Sequence, residues 1–295
     1  MKHFVNLRDF SQAEIAAILD LARELKHLQK KSISHQRLSG KTLAMLFEKP
    51  SNRTRLSFEV AMYQLGGHAI NIRPDEVQMG KRESIADVAK VFSRFVDGVM
   101  IRARDQNDII ELANHSSVPV INGLSDTCHP CQAVADILTI EEKKGSLANI
   151  GLCYIGDGNN VCNSLIDICE ILEISLVVCC PDGYGPKVDR QLSNVSFESQ
   201  PSQAVVGADV IYTDTWVSMG MEGETTKRLA DFRGYGVTKE LLGLSKGDAI
   251  FMHCLPAHRG EEVDPDVIDG PSSVVFDQAE NRLHAQKGIL AFLLG

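Results

Sequence analysis

Apolar residues recur along this chain in two alternating patterns, short continuous runs and stripes at helical spacing. The runs at 42–47, 67–72, 97–102, 118–122, 150–155, 174–180, 208–213, 248–253 and 273–276 read as strands. Stripes recurring every three to four positions predict helices over 11–30, 53–65, 84–94, 106–114, 131–143, 161–172 and 281–293. In the first helix, Ser11 and Glu14 form a capping-box pattern, and Ile15, Ile18, Leu19, Ala22 and Leu25 form the apolar stripe. Strands that are apolar throughout, such as 174–178, and that alternate with helices predict parallel sheets covered by helices on both faces. The alternation breaks near 131–150, where helix 131–143 exits through KKGS at 143–146. The expected fold class is therefore α/β, with two doubly wound parallel-sheet domains separated by an active-site cleft. The expected boundaries are 1–136, with a closing helix 279–295 packing back on it, and 137–278.

At 295 residues, 44% hydrophobic and 23% charged, the chain has ample material for two cores. No apolar run approaches the roughly 20 residues of a membrane helix, and the opening MKHFVNLRDFSQAEI lacks the apolar core of a secretory leader. No membrane partner is expected, and the expected location is cytoplasmic, with a trimmed mature organelle protein as the alternative. A net charge of −9 opposes general nucleic-acid binding, yet a few arginines focused on one spot still attract a small anion. Eight cysteines without an export signal read as reduced thiols. Cys153, Cys162, Cys169, Cys179 and Cys180 lie in apolar patterns and are expected in the core. Cys128 and Cys131 form a single C-x-x-C with no second pair, so no metal is expected.

In open parallel sheets, ligands collect at the carboxyl ends of strands. The chemically loaded residues cluster there. SNRTR, residues 51–55, follows strand 42–47 and the turn residue Pro50, and opens a helix that GG at 66–67 stops. A helix N-terminus offers unpaired N–H groups to an anion; Ser51 and Thr54 add hydroxyls, and Arg53 adds a bidentate cation. Arg53 and Arg55 diverge on a helix, so one binds while the other braces the loop. Arg102 ends strand 97–102, and HPCQ at 129–132 follows strand 118–122. In the second half, GDGNN at 156–160, Asp214 and HCLP at 253–256 occupy equivalent ends. Gly156 and Gly158 also outline a dinucleotide fingerprint, but Val161 stands at its third glycine and Asn159 and Asn160 would crowd a pyrophosphate.

SNRTR resembles the carbamoyl phosphate loop of the aspartate/ornithine carbamoyltransferase family, with Asn52 in place of the usual Thr. HPCQ at 129–132 resembles its second carbamoyl phosphate motif. DTWVSMG at 214–220 and HCLP at 253–256 are similar to the ornithine branch. The resemblance implies transfer of a carbamoyl group from carbamoyl phosphate to the side-chain amine of L-ornithine, giving citrulline and phosphate. It implies no cofactor, and a homotrimer with shared sites. Ser51, Asn52, Arg53, Thr54 and Arg102 would hold the phosphate, and Gln78 would serve a neighbouring subunit. His129 and Arg102 would face the carbonyl oxygen and Gln132 the carbamoyl nitrogen, near Arg282. The carbonyls of Cys254 and Leu255 would accept from that nitrogen. Asn160, Asp214, Ser218 and Met219 would hold ornithine, with Cys254 beside its amine. The polar, glycine-rich segment 219–236 is expected to act as a lid. Loss of the hydroxyl at Asn52 is expected to alter carbamoyl phosphate affinity modestly. A transferase using putrescine or an N-acylated ornithine is the alternative within the family; an NAD-linked dehydrogenase, on the imperfect fingerprint at 156–161, and a non-catalytic binder on the transferase scaffold are the alternatives to it.

Overall fold

The computed structural model describes residues 1–49, 51–218 and 220–295. Pro50 and the candidate ligand residue Met219 lie outside the described residues. The chain divides into two compact units, Met1–Leu138 with Glu280–Gly295, and Thr139–Ala279.

The first unit is built on four parallel strands, β1 (Thr42–Phe47), β2 (His68–Ile72), β3 (Gly98–Arg102) and β4 (Val120–Leu124), in the order β2-β1-β3-β4. Its helices are α1 (Gln12–Lys30), α2 (Asn52–Gln64), the short α3 (Pro74–Val77), α4 (Ile85–Phe95), α5 (Gln106–His115) and the start of α6 (Pro130–Lys144). The capping box at Ser11 and Glu14 forms as its sequence implies. Helix α2 ends where Gly66 takes φ +83°; a Cβ there would lie 2.8 Å from Gln36 Cβ, so glycine answers both the turn and the close packing.

The second unit has five parallel strands, β5 (Gly151–Ile155), β6 (Ser175–Cys179), β7 (Val195–Glu198), β8 (Val210–Thr213) and β9 (Ile250–His253), ordered β7-β6-β5-β8-β9. Its helices are α7 (Asn160–Ile171), α8 (Pro201–Ala204), α9 (Thr225–Asp231), α10 (Lys239–Leu242), α11 (Pro265–Ile268) and the first turn of α12 (Val275–Leu294). A core of Cys153, Ile155, Cys179, Ile211, Phe251 and Val263 lies on one face of this sheet.

The short helices α3 and α8 to α11 are absent from the pattern reading because four to seven residues are too few to show a helical stripe, and two further elements differ from it. The run 273–276 is not a strand: Ser273 makes a single bridge to Phe251, and α12 starts at Val275. Once Val274 N–H reaches Phe251 O, the Val274 carbonyl accepts from Gln278 N–H, and the turn geometry overrides β-branched preference. Strand β7 is absent from the pattern reading because it is a polar edge strand whose one large apolar residue, Phe197, is exposed.

Candidate active site

In the first sheet the strand order reverses between β1 and β3, whose last residues, Phe47 and Arg102, pair in register. This switch point opens a crevice at the carboxyl ends of the strands. Ser51 caps α2, its Oγ accepting from Thr54 N–H at 3.3 Å. Arg102 Nη1 donates to Ser51 Oγ at 3.2 Å and lies 3.4 Å from Thr54 Oγ1. From α12, Arg282 Nη2 donates to the same Thr54 Oγ1 at 2.7 Å. Thr54 is fully buried, and its hydroxyl orients Arg282 while the Ser51 hydroxyl holds Arg102, which places two guanidinium groups at one helix N-terminus.

His129 precedes α6 and is 4% exposed. Burial, reinforced by the positive fields of Arg282, Arg102 and Arg53, holds its pKa well below the usual value. The imidazole is therefore neutral near pH 7 and donates through a single N–H. Gln132, on the first turn of α6, gives its amide N–H to Asp136 Oδ1 at 2.8 Å, while its buried Oε1 has no hydrogen-bond partner among the described residues.

The remaining candidates of this unit are more dispersed. Asn52 and Arg53 are exposed on the first turn of α2. Arg55 reaches Glu59 at 3.7 Å along the exposed face of the same helix, so its recorded partner is intrahelical and not in the loop. Gln78 is exposed, with φ +50°, and lines a cavity of about 680 Å³ with Arg104 and Asp108. The C-x-x-C pair is structural: Cys131 Sγ donates to Asn122 O at 3.3 Å, and burial pushes its pKa up to about 12.

In the second sheet the order reverses between β5 and β8, and Ile155 pairs with Thr213. Asp214 follows β8, and the turn 156–159 follows β5. Asn159 caps α7, with Oδ1 accepting from Val161 N–H and Cys162 N–H at 2.9 and 3.1 Å. Its Nδ2 donates to Asp214 Oδ2 at 2.7 Å. Asp214 Oδ1 accepts from Thr215 N–H at 2.8 Å and from the Cys254 thiol at 3.1 Å. Three donors thus aim one carboxylate, 7% exposed, at the strand ends. Asn160 is the first residue of α7 and, like Ser218, is partly exposed; the side chain that grips Asp214 belongs to Asn159.

The turn is braced from behind. Buried Arg228 donates to Asp157 Oδ2 at 3.0 Å and Trp216 O at 2.9 Å, tying the 156–159 turn to the segment after Asp214. Burial raises the Asp157 pKa, against the opposing pull of Arg228. Beyond Met219, the segment expected to act as a lid carries a 3-10 turn at Glu222–Glu224 and then α9, which holds Arg228. A Cβ at Gly158 would lie 2.3 Å from Pro186 N. That glycine therefore admits the 185–186 backbone rather than a dinucleotide, which removes the main support for a dehydrogenase fingerprint.

Among the described residues, two groups bring three metal-ligating atoms within 4.8 Å of one another: Asp214, His253 and Cys254, and His258, Glu261 and Glu262. In the first, the Cys254 thiol already donates to Asp214, and both ring nitrogens of His253 have hydrogen-bond partners.

Residues 2–142 match the family profile for the aspartate/ornithine carbamoyltransferase carbamoyl-P binding domain, and residues 148–293 match that for its Asp/Orn binding domain. The chain belongs to the aspartate/ornithine carbamoyltransferase family. It is 52% identical to the ornithine carbamoyltransferase of Pyrococcus abyssi, over 98% of this chain and 94% of that protein. With the Archaeoglobus fulgidus ornithine carbamoyltransferase it is 50% identical, over 100% and 98%. The solved ornithine carbamoyltransferase of Pyrococcus furiosus superposes with a TM-score of 0.97 at 50% identity, covering 100% of this chain and 97% of that one. That of Thermus thermophilus gives 0.91 at 44%, covering 100% and 99%. The two family domains account for both sheets, and each candidate cluster lies at the switch point of its own sheet.

Proposed function

We propose that this carbamoyltransferase family member transfers the carbamoyl group of carbamoyl phosphate to the side-chain amine of L-ornithine, releasing citrulline and phosphate. The observation that carries the ornithine assignment is the Asp214 carboxylate, aimed by Asn159 and Thr215 and hydrogen-bonded to the Cys254 thiol. A fixed anion beside a polarisable thiol suits a cationic amino acid and repels an acidic one.

In this reading Ser51, Asn52, Arg53, Thr54 and Arg102 hold the phosphate, and Arg282 lies against the carbamoyl group. His129 and Arg102 donate to its carbonyl oxygen. Gln132 Oε1 and the carbonyls of Cys254 and Leu255 accept from its nitrogen. Asn160, Ser218 and Met219 contact ornithine. The neutral amine attacks the carbonyl carbon, a tetrahedral intermediate forms, and the carbon–oxygen bond to phosphate breaks while the new ammonium loses its proton. The catalytic tasks are alignment, worth up to roughly 7–11 kcal/mol, and stabilisation of oxyanion and leaving group, where one donor often contributes about 3 kcal/mol. A neutral His129 among guanidinium groups can donate to a developing oxyanion without adding charge to the cluster.

The relative from Pyrococcus furiosus named "Ornithine carbamoyltransferase, anabolic", 52% identical, supports flux toward citrulline. In the homotrimer that the family resemblance implies, Gln78, exposed and outside the hydrogen-bonded Ser51–Thr54 cluster, would serve a neighbour's site. No helix among the described residues is long and apolar enough to cross a membrane, and all eight cysteines are free, which supports a cytoplasmic enzyme.

The deciding experiment measures product formation from carbamoyl phosphate with ornithine, aspartate, putrescine and N-acetylornithine. Citrulline from ornithine, at a kcat/KM far above the other three, is the expected result. Preference for another amine would overturn the ornithine assignment, and no product from any would favour a binder.

A further inference from the structure

The loop carrying Cys254 and Leu255 is held by two side chains that are themselves sealed from solvent. His253, the last residue of β9, and Glu262 are both 0% exposed. His253 Nδ1 lies 2.9 Å from Leu255 N and can only accept from that N–H. The proton of the neutral ring is therefore on Nε2, which donates to Glu262 Oε1 at 3.1 Å. The same carboxylate oxygen accepts from His258 N–H at 2.6 Å. Glu262 thus clasps the loop at both ends, through the ring of residue 253 and the backbone of residue 258. The clasp is anchored on two sides. Glu262 O accepts from Val237 N–H at 2.9 Å, and His253 N–H donates to Gln278 Oε1 at 2.9 Å. Between the ends, Leu255 has φ +58°, a left-handed conformation that a bulky residue holds only where its surroundings impose it.

We propose that the buried His253–Glu262 pair is a positioning device for the transfer reaction, fixing the backbone of Cys254 and Leu255 so that the thiol meets Asp214 and the two carbonyls face the carbamoyl nitrogen. Neither residue touches substrate. The pair acts by geometry: the imidazole supplies a hydrogen-bond acceptor two residues down the chain, and the carboxylate supplies an acceptor between two donors. Neither task requires a proton to move. The inference rests on the ornithine carbamoyltransferase reading for its carbonyl and thiol roles.

The test compares His253→Phe, His253→Asn, Glu262→Leu and Glu262→Gln with the wild-type protein, after circular dichroism and melting confirm folding at the assay temperature. An Asn side chain can accept from the N–H two residues on, as in an Asx turn, and Gln keeps an acceptor oxygen for Glu262's two donors. His253→Phe and Glu262→Leu are expected to lower kcat about 100-fold, the scale of an ångström-sized misplacement, with a smaller rise in carbamoyl phosphate Kd of up to about tenfold, because the phosphate cluster is untouched. His253→Asn and Glu262→Gln are expected to restore most of that loss. A folded His253→Phe enzyme with wild-type kcat would reduce the pair to a structural role and overturn the proposal. So would a Glu262→Gln enzyme as slow as Glu262→Leu, which would assign the work to charge. Should the Phe and Leu variants fail to fold, the ratio of kcat between Glu262→Gln and wild type decides alone, a loss beyond tenfold refuting a geometric role. Wild-type citrulline formation is measured in the same series, so failure of the functional reading is distinguishable from failure of the clasp.

Discussion

Thr54→Val tests the anion cradle with little change of shape. The side chain is fully buried, and its Oγ1 accepts from Arg282 at 2.7 Å, with Arg102 at 3.4 Å. The first contact is a good charge-assisted hydrogen bond; the second is too long to contribute much. Valine keeps the volume and removes the oxygen. Two losses then reach anion binding. Arg282 is held less firmly, so the ligand must finish ordering a long side chain at about 0.5–1.5 kcal/mol. The hydroxyl is also lost as a donor to phosphate, and a hydrogen bond to a charged group contributes about 1.5–3 kcal/mol. Together these predict a loss of roughly 2–4 kcal/mol, or a rise in Kd of about thirty- to several-hundred-fold. Titration calorimetry with carbamoyl phosphate, and with inorganic phosphate as a stable probe, measures it at fixed ionic strength. Thr54→Ser keeps the oxygen and is expected within about tenfold of wild type, allowing for a freer rotamer and the lost methyl. A folded Thr54→Val protein that binds both anions as tightly as wild type would refute the cradle.

Asp214→Asn is expected to lower kcat/KM for ornithine by more than about 100-fold while leaving carbamoyl phosphate Kd unchanged, because the carboxylate and the phosphate cluster lie in different units; initial-rate kinetics and calorimetry separate the two. Because only the unprotonated amine attacks, kcat/KM for ornithine should rise with pH through neutrality, and a flat profile would contradict that chemistry. His129 should remain neutral well below pH 6.5, so its ring carbon protons, followed by NMR, should not titrate between pH 8 and 6. Its depressed pKa stabilises the fold above the unfolded value near 6.5, and that contribution is lost as pH falls below it. Buried Lys287 bonds Gln29 and lies 3.1 Å from His35 Nε2, and burial lowers its pKa from 10.5 to about 8. Between those values the unfolded chain binds the proton and the folded one does not, so this group makes stability rise with pH by up to about 1.4 kcal/mol per unit. Lys287→Met should flatten that slope in denaturant titrations from pH 8 to 10.

Much of this molecule is legible from local pattern. The strands from β1 to β6 and β8 to β9, the longer helices α1, α2 and α4 to α7, and the SNRTR junction at a strand end follow from periodicity over a few residues, because side-chain direction in a strand or helix is set by neighbours in sequence. The exceptions have physical causes. Residues 273–276 carry strand-forming side chains, yet the turn onto Phe251 commits them to α12; β7 is polar and lies at an edge, where nothing selects an apolar run. The site is a different matter. Ser51, His129, Asp214 and Cys254 could be picked out at strand ends, but Arg282 lies 228 positions from the Thr54 it contacts, and only the family resemblance pointed to it. The grip of Asn159 on Asp214 depends on the fold of the 156–159 turn against the end of β8, and Glu262 carries no signal at all in the sequence. Periodicity determines which segments become strands and helices; the order in which strands join a sheet, and the return of α12 to the first unit, determine which distant side chains converge. Convergence depends on contacts between segments far apart in sequence, and a local pattern holds no record of them.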